Sequence, residues 1–219
     1  AKIVIGTHAL FQRNVHFHNL RLAVIDEQHK FGVMQRFRLE KKGNVNSIIM
    51  SATPIPRSLA LTVFSDRDLT TIKEKPKNRL SIETLAISVK KIRKLLDKLA
   101  KQMSEGQQVY WVCPLIEENE NNHLSNSNDR FFYLRNEFSQ FKVGLIHGQM
   151  PSEDKESELK KFNERKIDIL VSTTVIEEGI DNPHATAIVI ENANRFGLSQ
   201  LHQLRGRVGR GDKKSYCFL

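Results

Sequence analysis

Leu20-Arg21-Leu22-Ala23-Val24-Ile25-Asp26-Glu27-Gln28-His29 is an apolar run that stops abruptly at two carboxylates. Leu20, Leu22, Ala23, Val24 and Ile25 do not alternate with polar residues. A run apolar on both faces fits a strand of a parallel sheet covered by helices on each side. In open sheets of that kind ligands gather outside the carboxyl ends of the strands. Asp26 and Glu27 therefore stand where such a fold does its chemistry. The next apolar run, Ser47–Ser51, leads directly into Ser51-Ala52-Thr53-Pro54, a second polar box at a second strand end.

Working outward, short apolar runs alternate with amphipathic stretches. Lys2–Gly6, Leu20–Asp26 and Ser47–Ser51 read as strands, and Phe31–Glu40 and Arg57–Phe64 as intervening helices. Lys73–Arg79 is charged, lacks periodicity and contains Pro76, which marks a linker. The pattern then restarts. Val89, Ile92, Leu95, Leu96, Leu99 and Met103 recur at helical spacing, so Val89–Gln102 is an amphipathic helix. Val109–Leu115 is a strand holding the single tryptophan, Trp111. Glu118–Asp129 is rich in Asn and Ser and reads as a loop. Phe131, Leu134, Phe138 and Phe141 mark a helix face, Val143–Ile146 a strand, and Pro151–Arg165 a charged surface helix. Ile167–Ser172 and Ala185–Glu191 are strands, Ser199–Arg207 a helix and Ser215–Leu219 a last strand. No internal repeat occurs. The alternation predicts an α/β chain of two doubly wound parallel-sheet domains. The first spans residues 1–75 and is incomplete, 76–84 form the linker, and 85–219 form the second domain.

Composition narrows the class. The 219 residues are 39% hydrophobic and 27% charged, ordinary for a globular chain. No apolar stretch approaches the ~20 residues that span a bilayer, and no signal-peptide pattern opens the chain. Lys and Arg outnumber acids 34 to 25, giving a net charge of +9 that favours a polyanionic partner. Cys113 and Cys217 lie far apart in apolar runs, which fits buried free thiols of a cytoplasmic protein rather than a zinc site.

Four further boxes carry chemistry. Gln203-Leu204-Arg205-Gly206-Arg207-Val208-Gly209-Arg210 sets Arg207 and Arg210 beside flexible glycines. Arginines so placed can neutralise charge growing on a transferred phosphate. Ser172-Thr173-Thr174-Val175-Ile176-Glu177-Glu178-Gly179-Ile180-Asp181 offers hydroxyls and backbone N–H groups at a strand-to-helix turn, which suits phosphate oxygens. Gly6-Thr7-His8 and His147-Gly148-Gln149-Met150 lie at two more strand ends. Alone, Asp26-Glu27 is also what a helix cap looks like, and Ser-Ala-Thr-Pro what a turn looks like. Order and spacing raise the set above its parts. No Gly-Lys-Ser or Gly-Lys-Thr occurs, so the phosphate-binding loop of a nucleoside-triphosphate motor is expected upstream of residue 1, and the N-terminus is expected to be a truncation point.

On these residues the chain resembles the superfamily-two helicases, and within them the RecG helicases. The resemblance rests on Gly6–Leu10, Asp26–Val33, Ala52–Thr62, Val112–Glu118 and Arg195–Arg207, and covers essentially the whole chain. Transcription-repair coupling factors share the Pro-Ile-Pro-Arg and Phe-Gly-Leu stretches. They typically carry Glu where this chain has Gln28 and lack the Cys113-Pro114-Leu115-Ile116 run. RNA helicases of the superfamily usually lack both the Pro-Ile-Pro-Arg and Cys-Pro-Leu-Ile runs.

The resemblance implies two RecA-like domains and an ATP-dependent DNA helicase that remodels branched DNA, such as stalled forks and Holliday junctions, in recombination and repair. ATP and Mg²⁺ would be its cofactors and forked DNA its partner, in a monomeric bacterial protein of the cytoplasm and nucleoid. Asp26 would hold Mg²⁺ through water, and Glu27 would activate the attacking water. Gln28, His29, Ser51 and Thr53 would couple nucleotide to DNA. Thr7, His147, Gly148 and Thr173 would contact the DNA backbone. Gly179, Asp181, Gln203, Arg207 and Arg210 would complete the nucleotide site, with Arg207 and Arg210 catalytic. The Asp26 box and the arginine box would then be two walls of one cleft. Glu178 departs from the family, which usually has a small or apolar residue there. The chain alone is expected to be inactive, and a non-catalytic nucleic-acid-binding module is the alternative reading.

Overall fold

A computed structural model describes residues 1–12, 14–27, 45–52, 68, 70–72, 74, 80–114, 120–173 and 182–219, with backbone alone at 8, 11 and 120–126. The chain divides into two compact units, Ala1–Asp68 and Leu69–Leu219.

In the first unit β1 (Leu22–Ile25) pairs in parallel with β2 (Asn46–Ile49), setting Ile25 opposite Ile49. The second and third apolar runs thus form strands at the predicted places, each within two residues of the expected bounds at either end. Ile25 is buried, whereas Leu22, Val24 and Ile48 are each about half exposed. Lys2–Gly6 is not a strand. Ile3 and Ile5 are 81% and 93% exposed. An apolar run becomes a strand only by pairing, and among the described residues the β1–β2 sheet holds just those two strands. A 3-10 turn, His8–Phe11, follows Thr7. The expected helices Phe31–Glu40 and Arg57–Phe64 lie outside the described residues.

The second unit is a six-stranded parallel sheet in the order β3-β8-β7-β4-β6-β5. Its strands are β3 (Ile82–Leu85), β4 (Gln108–Val112), β5 (Val143–Ile146), β6 (Ile169–Ser172), β7 (Ala185–Ile190) and β8 (Ser215–Phe218). Helix α1 (Ile92–Ser104), preceded by a 3-10 turn at Val89–Lys91, carries the chain from β3 to β4. Helix α2 (Glu120–Glu137) leads to β5, α3 (Ser152–Asn163) to β6, and α4 (Leu198–Arg205) to β8. Because β3 pairs with β8, the sheet takes in Ile82–Thr84, which the sequence reading gave to the linker.

Side chains of the central strand β4 alternate between two apolar layers. Tyr110 and Val112 pack with Phe162 of α3 and Leu204 of α4. Val109 and Trp111, with Cys113 just past the strand, pack with Leu95, Leu96, Leu99 and Met103 of α1, with Leu134 of α2 and with Phe138 directly after it. Helices therefore cover both faces, as continuous apolar strands require. The reading of Glu118–Asp129 as a loop is corrected, since the chain is helical from Glu120 onward. Asn and Ser are weak helix formers, but burial of Leu134 and Phe138 anchors the helix, and packing outweighs local propensity.

Candidate functional site

Asp26 and Ser51 follow adjacent parallel strands, and Met50 N–H donates to Ile25 O at 2.8 Å. Both therefore sit on the carboxyl edge of the first unit. Asp26 is exposed, and its Oδ1 accepts the Glu27 N–H at 2.8 Å. Glu27 adopts φ 49°, the left-handed region. That turn redirects the chain at the strand exit and leaves the second Asp26 oxygen free of the Glu27 bond. An exposed carboxylate oxygen at a strand end suits a hard cation held through water. Thr7 is exposed and starts the 3-10 turn, its carbonyl accepting Leu10 N–H at 3.0 Å. Gln28, His29 and Thr53 lie outside the described residues.

The carboxyl edge of the second unit is richer. β5 and β6 are neighbours with Ile146 opposite Ser172, so His147 and Thr173 emerge side by side. Thr173 N–H donates to Ile146 O at 3.3 Å. Ser172 and Thr173 are 0% and 2% exposed. The hydroxyls of both, and Nδ1 of His147, are buried with no hydrogen-bond partner among the described residues. Buried polar groups are normally satisfied, and each one left unmade costs about 1–3 kcal/mol. Burial holds the His147 imidazole below the usual histidine range, and the Lys155 ammonium adds to the effect. Lys155, from α3, donates to Gly148 O at 2.7 Å and fixes the turn after His147. Gly179, Asp181 and Glu178 lie outside the described residues.

The arginine box closes helix α4. The Gln200 side chain accepts Gly197 N–H at 3.0 Å and caps the helix start. Gln203 and Arg207 are half-buried, and Arg210 is exposed with Nε 3.4 Å from Gly206 O. Val208 between the arginines is fully buried, which anchors the segment. Gly209 takes φ 75°, and a Cβ there would stand 2.8 Å from Ile82 Cγ1. The motif's glycine thus serves a close approach of the helix exit to β3.

One cluster escaped the sequence reading. Glu191, directly past β7, pairs with Arg130 of α2 at 2.6 Å. The Arg130 guanidinium lies 5.7 Å from the Trp111 ring centre and 5.1 Å from that of Tyr133. Cys113 Sγ donates to the other Glu191 oxygen at 3.8 Å. Burial first, and the Glu191 charge second, push the Cys113 thiol far up. A carboxylate after the apolar run Ala185–Ile190 repeats the signal that singled out Asp26, so Glu191 was findable. Arg130 was not, because its partner is 61 residues away.

The helicase conserved C-terminal domain family matches residues 89–212, and the DEAD/DEAH box helicase family matches residues 1–62. The ATP-dependent DNA helicase RecG of Thermotoga maritima is 49% identical over 219 residues, which are 99% of this chain and 28% of that protein. The RecG of Bacillus subtilis is 46% identical over 99% of this chain and 32% of its own length. A solved structure of RecG bound to a three-way DNA junction is 45% identical over 98% of this chain and 28% of that one, with a TM-score of 0.72. Yeast Dbp5 bound to RNA and ADP BeF3 shares the fold alone, at 15% identity over 96% of this chain and 56% of that one, with a TM-score of 0.64. The chain spans about 28–32% of these curated relatives.

Proposed function

We propose, from the premise that this chain belongs to the helicase conserved C-terminal domain family, that it is the hydrolytic and arginine-bearing part of an ATP-dependent DNA helicase that remodels branched DNA. The observation that carries the reading is the placement of His147 and Thr173 side by side at the carboxyl ends of β5 and β6. Hydroxyls, backbone N–H groups and an imidazole gathered at strand ends suit the phosphate oxygens of a nucleic-acid backbone. The net charge of +9 and the similarity to RecG proteins support DNA as that polymer.

In this reading Asp26 would hold the Mg²⁺ that accompanies ATP, and Glu27 would accept a proton from water. Gln28, His29, Ser51 and Thr53 pass the state of the nucleotide to the DNA side. Gly179, Asp181, Gln203, Arg207 and Arg210 complete the nucleotide site. Arg207 and Arg210 neutralise charge on the transferred phosphoryl group, an effect worth about 10³–10⁵ in rate for arginine fingers. Thr7, His147, Gly148 and Thr173 hold the DNA backbone. Among the described residues no helix is long and apolar enough to cross a membrane. The reading takes a monomer working on DNA in the bacterial cytoplasm.

The test joins the chain to the segment carrying its phosphate-binding loop and measures DNA-stimulated ATP hydrolysis. Glu27→Gln and Arg210→Ala are each expected to lower the rate at least a hundredfold while leaving DNA binding intact. An unchanged rate in either variant overturns the assignment of that residue. DNA binding without any hydrolysis in the unsubstituted protein overturns the motor.

A further inference from the structure

We propose that the outer face of α1 and its leading turn is a second contact for duplex DNA, gripping the phosphate backbone with residues distinct from the strand-end set. The inference rests on the reading of the chain as part of a DNA motor. Residues 89–101 hold Lys90, Lys91, Arg93, Lys94, Lys98 and Lys101 against the single carboxylate Asp97. That excess is more than half of the chain's net charge of +9.

The fold has a use for two of these cations. Arg93 pairs with Glu137 of α2, and the Lys98 ammonium sits 3.7 Å over the Tyr216 ring. Lys90, Lys91, Lys94 and Lys101 are exposed, and none is paired with a carboxylate among the described residues. Fold stability disfavours this placement in two ways. Lys90, Lys94 and Lys98 are like charges four residues apart, and such neighbours repel. Lys90, Lys91, Arg93 and Lys94 also crowd the start of α1, whose first turn has no acidic residue. There the helix dipole favours anions. The charged surface helix α3 shows the contrast. It places Glu153 and Asp154 in its first turn, and Lys160 and Lys161 in its last. One of its lysines, Lys161, pairs with Glu158.

The geometry selects the partner. At about 100° per residue, Lys94, Lys98 and Lys101 fall within an arc of about 60°, and they extend about 10 Å along the axis. Duplex DNA presents about one charge per 1.7 Å of its length, so a straight basic stripe matches it. Protein interfaces instead bury aromatic or Arg anchors and are depleted in Lys. The stripe carries no exposed aromatic residue, and Val89 is its one exposed large apolar side chain. α1 packs its apolar residues Leu95, Leu96, Leu99 and Met103 against the sheet face of Val109 and Trp111, so the lysines lie on its opposite, exposed side. The stripe is built from residues other than His147 and Thr173.

The experiment measures binding of a fluorescein-labelled duplex to the 219-residue chain across a salt series, for the unsubstituted chain and for K90Q/K94Q/K101Q. Each lost phosphate contact flattens the plot of log affinity against log salt by about 0.9. Three lost contacts make the fall in affinity between 50 and 200 mM salt roughly fortyfold smaller. The melting temperature of the triple variant should be unchanged or higher, since repulsion is relieved. An unchanged slope in a folded variant overturns the proposal. So does displacement of the duplex by polyglutamate at equal charge, which identifies an acidic protein as the partner. Thr173→Val is measured alongside. If it binds normally while the lysine variant does not, the strand-end reading fails and the α1 contact stands.

Discussion

Gly209→Ala should destabilise the second unit by about 2–3 kcal/mol, although the residue lies between two arginines assigned to chemistry. Gly209 holds φ 75°, where an L-residue costs roughly 1–2 kcal/mol. A Cβ would also stand 2.8 Å from Ile82 Cγ1 and 3.2 Å from its Cδ1. Ile82 belongs to the edge strand β3 and packs on the core, so it yields only in part, and overpacking of this kind costs about 1–3 kcal/mol. Loss of glycine freedom in the unfolded chain returns roughly 0.4–1 kcal/mol. For a domain of this size the net cost lowers the melting temperature by roughly 5–10 °C. Urea unfolding followed by fluorescence of Trp111, which is fully buried on β4, reports this unit alone. Ile82→Ala in the same chain should recover the steric share, leaving about 1–2 kcal/mol of backbone strain in a double-mutant cycle. A cost for Gly209→Ala below about 0.5 kcal/mol, or no coupling to Ile82, refutes the reasoning.

Three other outcomes follow. Ser172→Ala and Thr173→Val each remove a buried hydroxyl with no partner among the described residues, so unfolding free energy should hold or rise by up to about 1 kcal/mol while DNA affinity falls; a drop in stability shows that the hydroxyls are satisfied in the fold. The His147 imidazole should titrate below the ordinary 6.5 by NMR, and Lys155→Ala should move it part of the way back. The unfolded chain then takes up this proton first, so the His147 contribution is complete above pH 6.5, declines below it, and levels off once folded His147 is protonated; a value at or above 6.5 contradicts the burial. Gly211→Ala should cost on the order of 2–3 kcal/mol, because its Cβ would stand 2.5 Å from the Pro183 carbonyl oxygen, whereas Gly197→Ala, meeting only Gln200 Oε1 at 3.7 Å, should cost far less.

Much of the architecture was legible because it is written locally. Continuous apolar runs marked β1, β2 and β4 to β8, and the 3.6-residue period marked α1. The strand-end rule led to Asp26, Ser51, His147 and Thr173, all of which stand at strand exits. Two readings failed for the same reason. Ile3 and Ile5 carry strand composition without a pairing partner among the described residues, and the Asn-rich start of α2 carries loop composition with a buried anchor further on. Pairing and burial depend on other parts of the chain, which no local window contains.

By itself the sequence determined the α/β alternation, the chemistry-bearing boxes and their order, and the excess of positive charge. Only the tertiary structure decided the strand order β3-β8-β7-β4-β6-β5, which brings residue 82 beside residue 215. It also decided that Arg130 meets Glu191, that Gly209 is needed to clear Ile82, and that the Ser172 and Thr173 hydroxyls are buried without partners among the described residues. The division has a physical cause. Periodicity and turn chemistry act over a few residues, whereas close approach, desolvation and unmet hydrogen bonds arise only when distant segments pack.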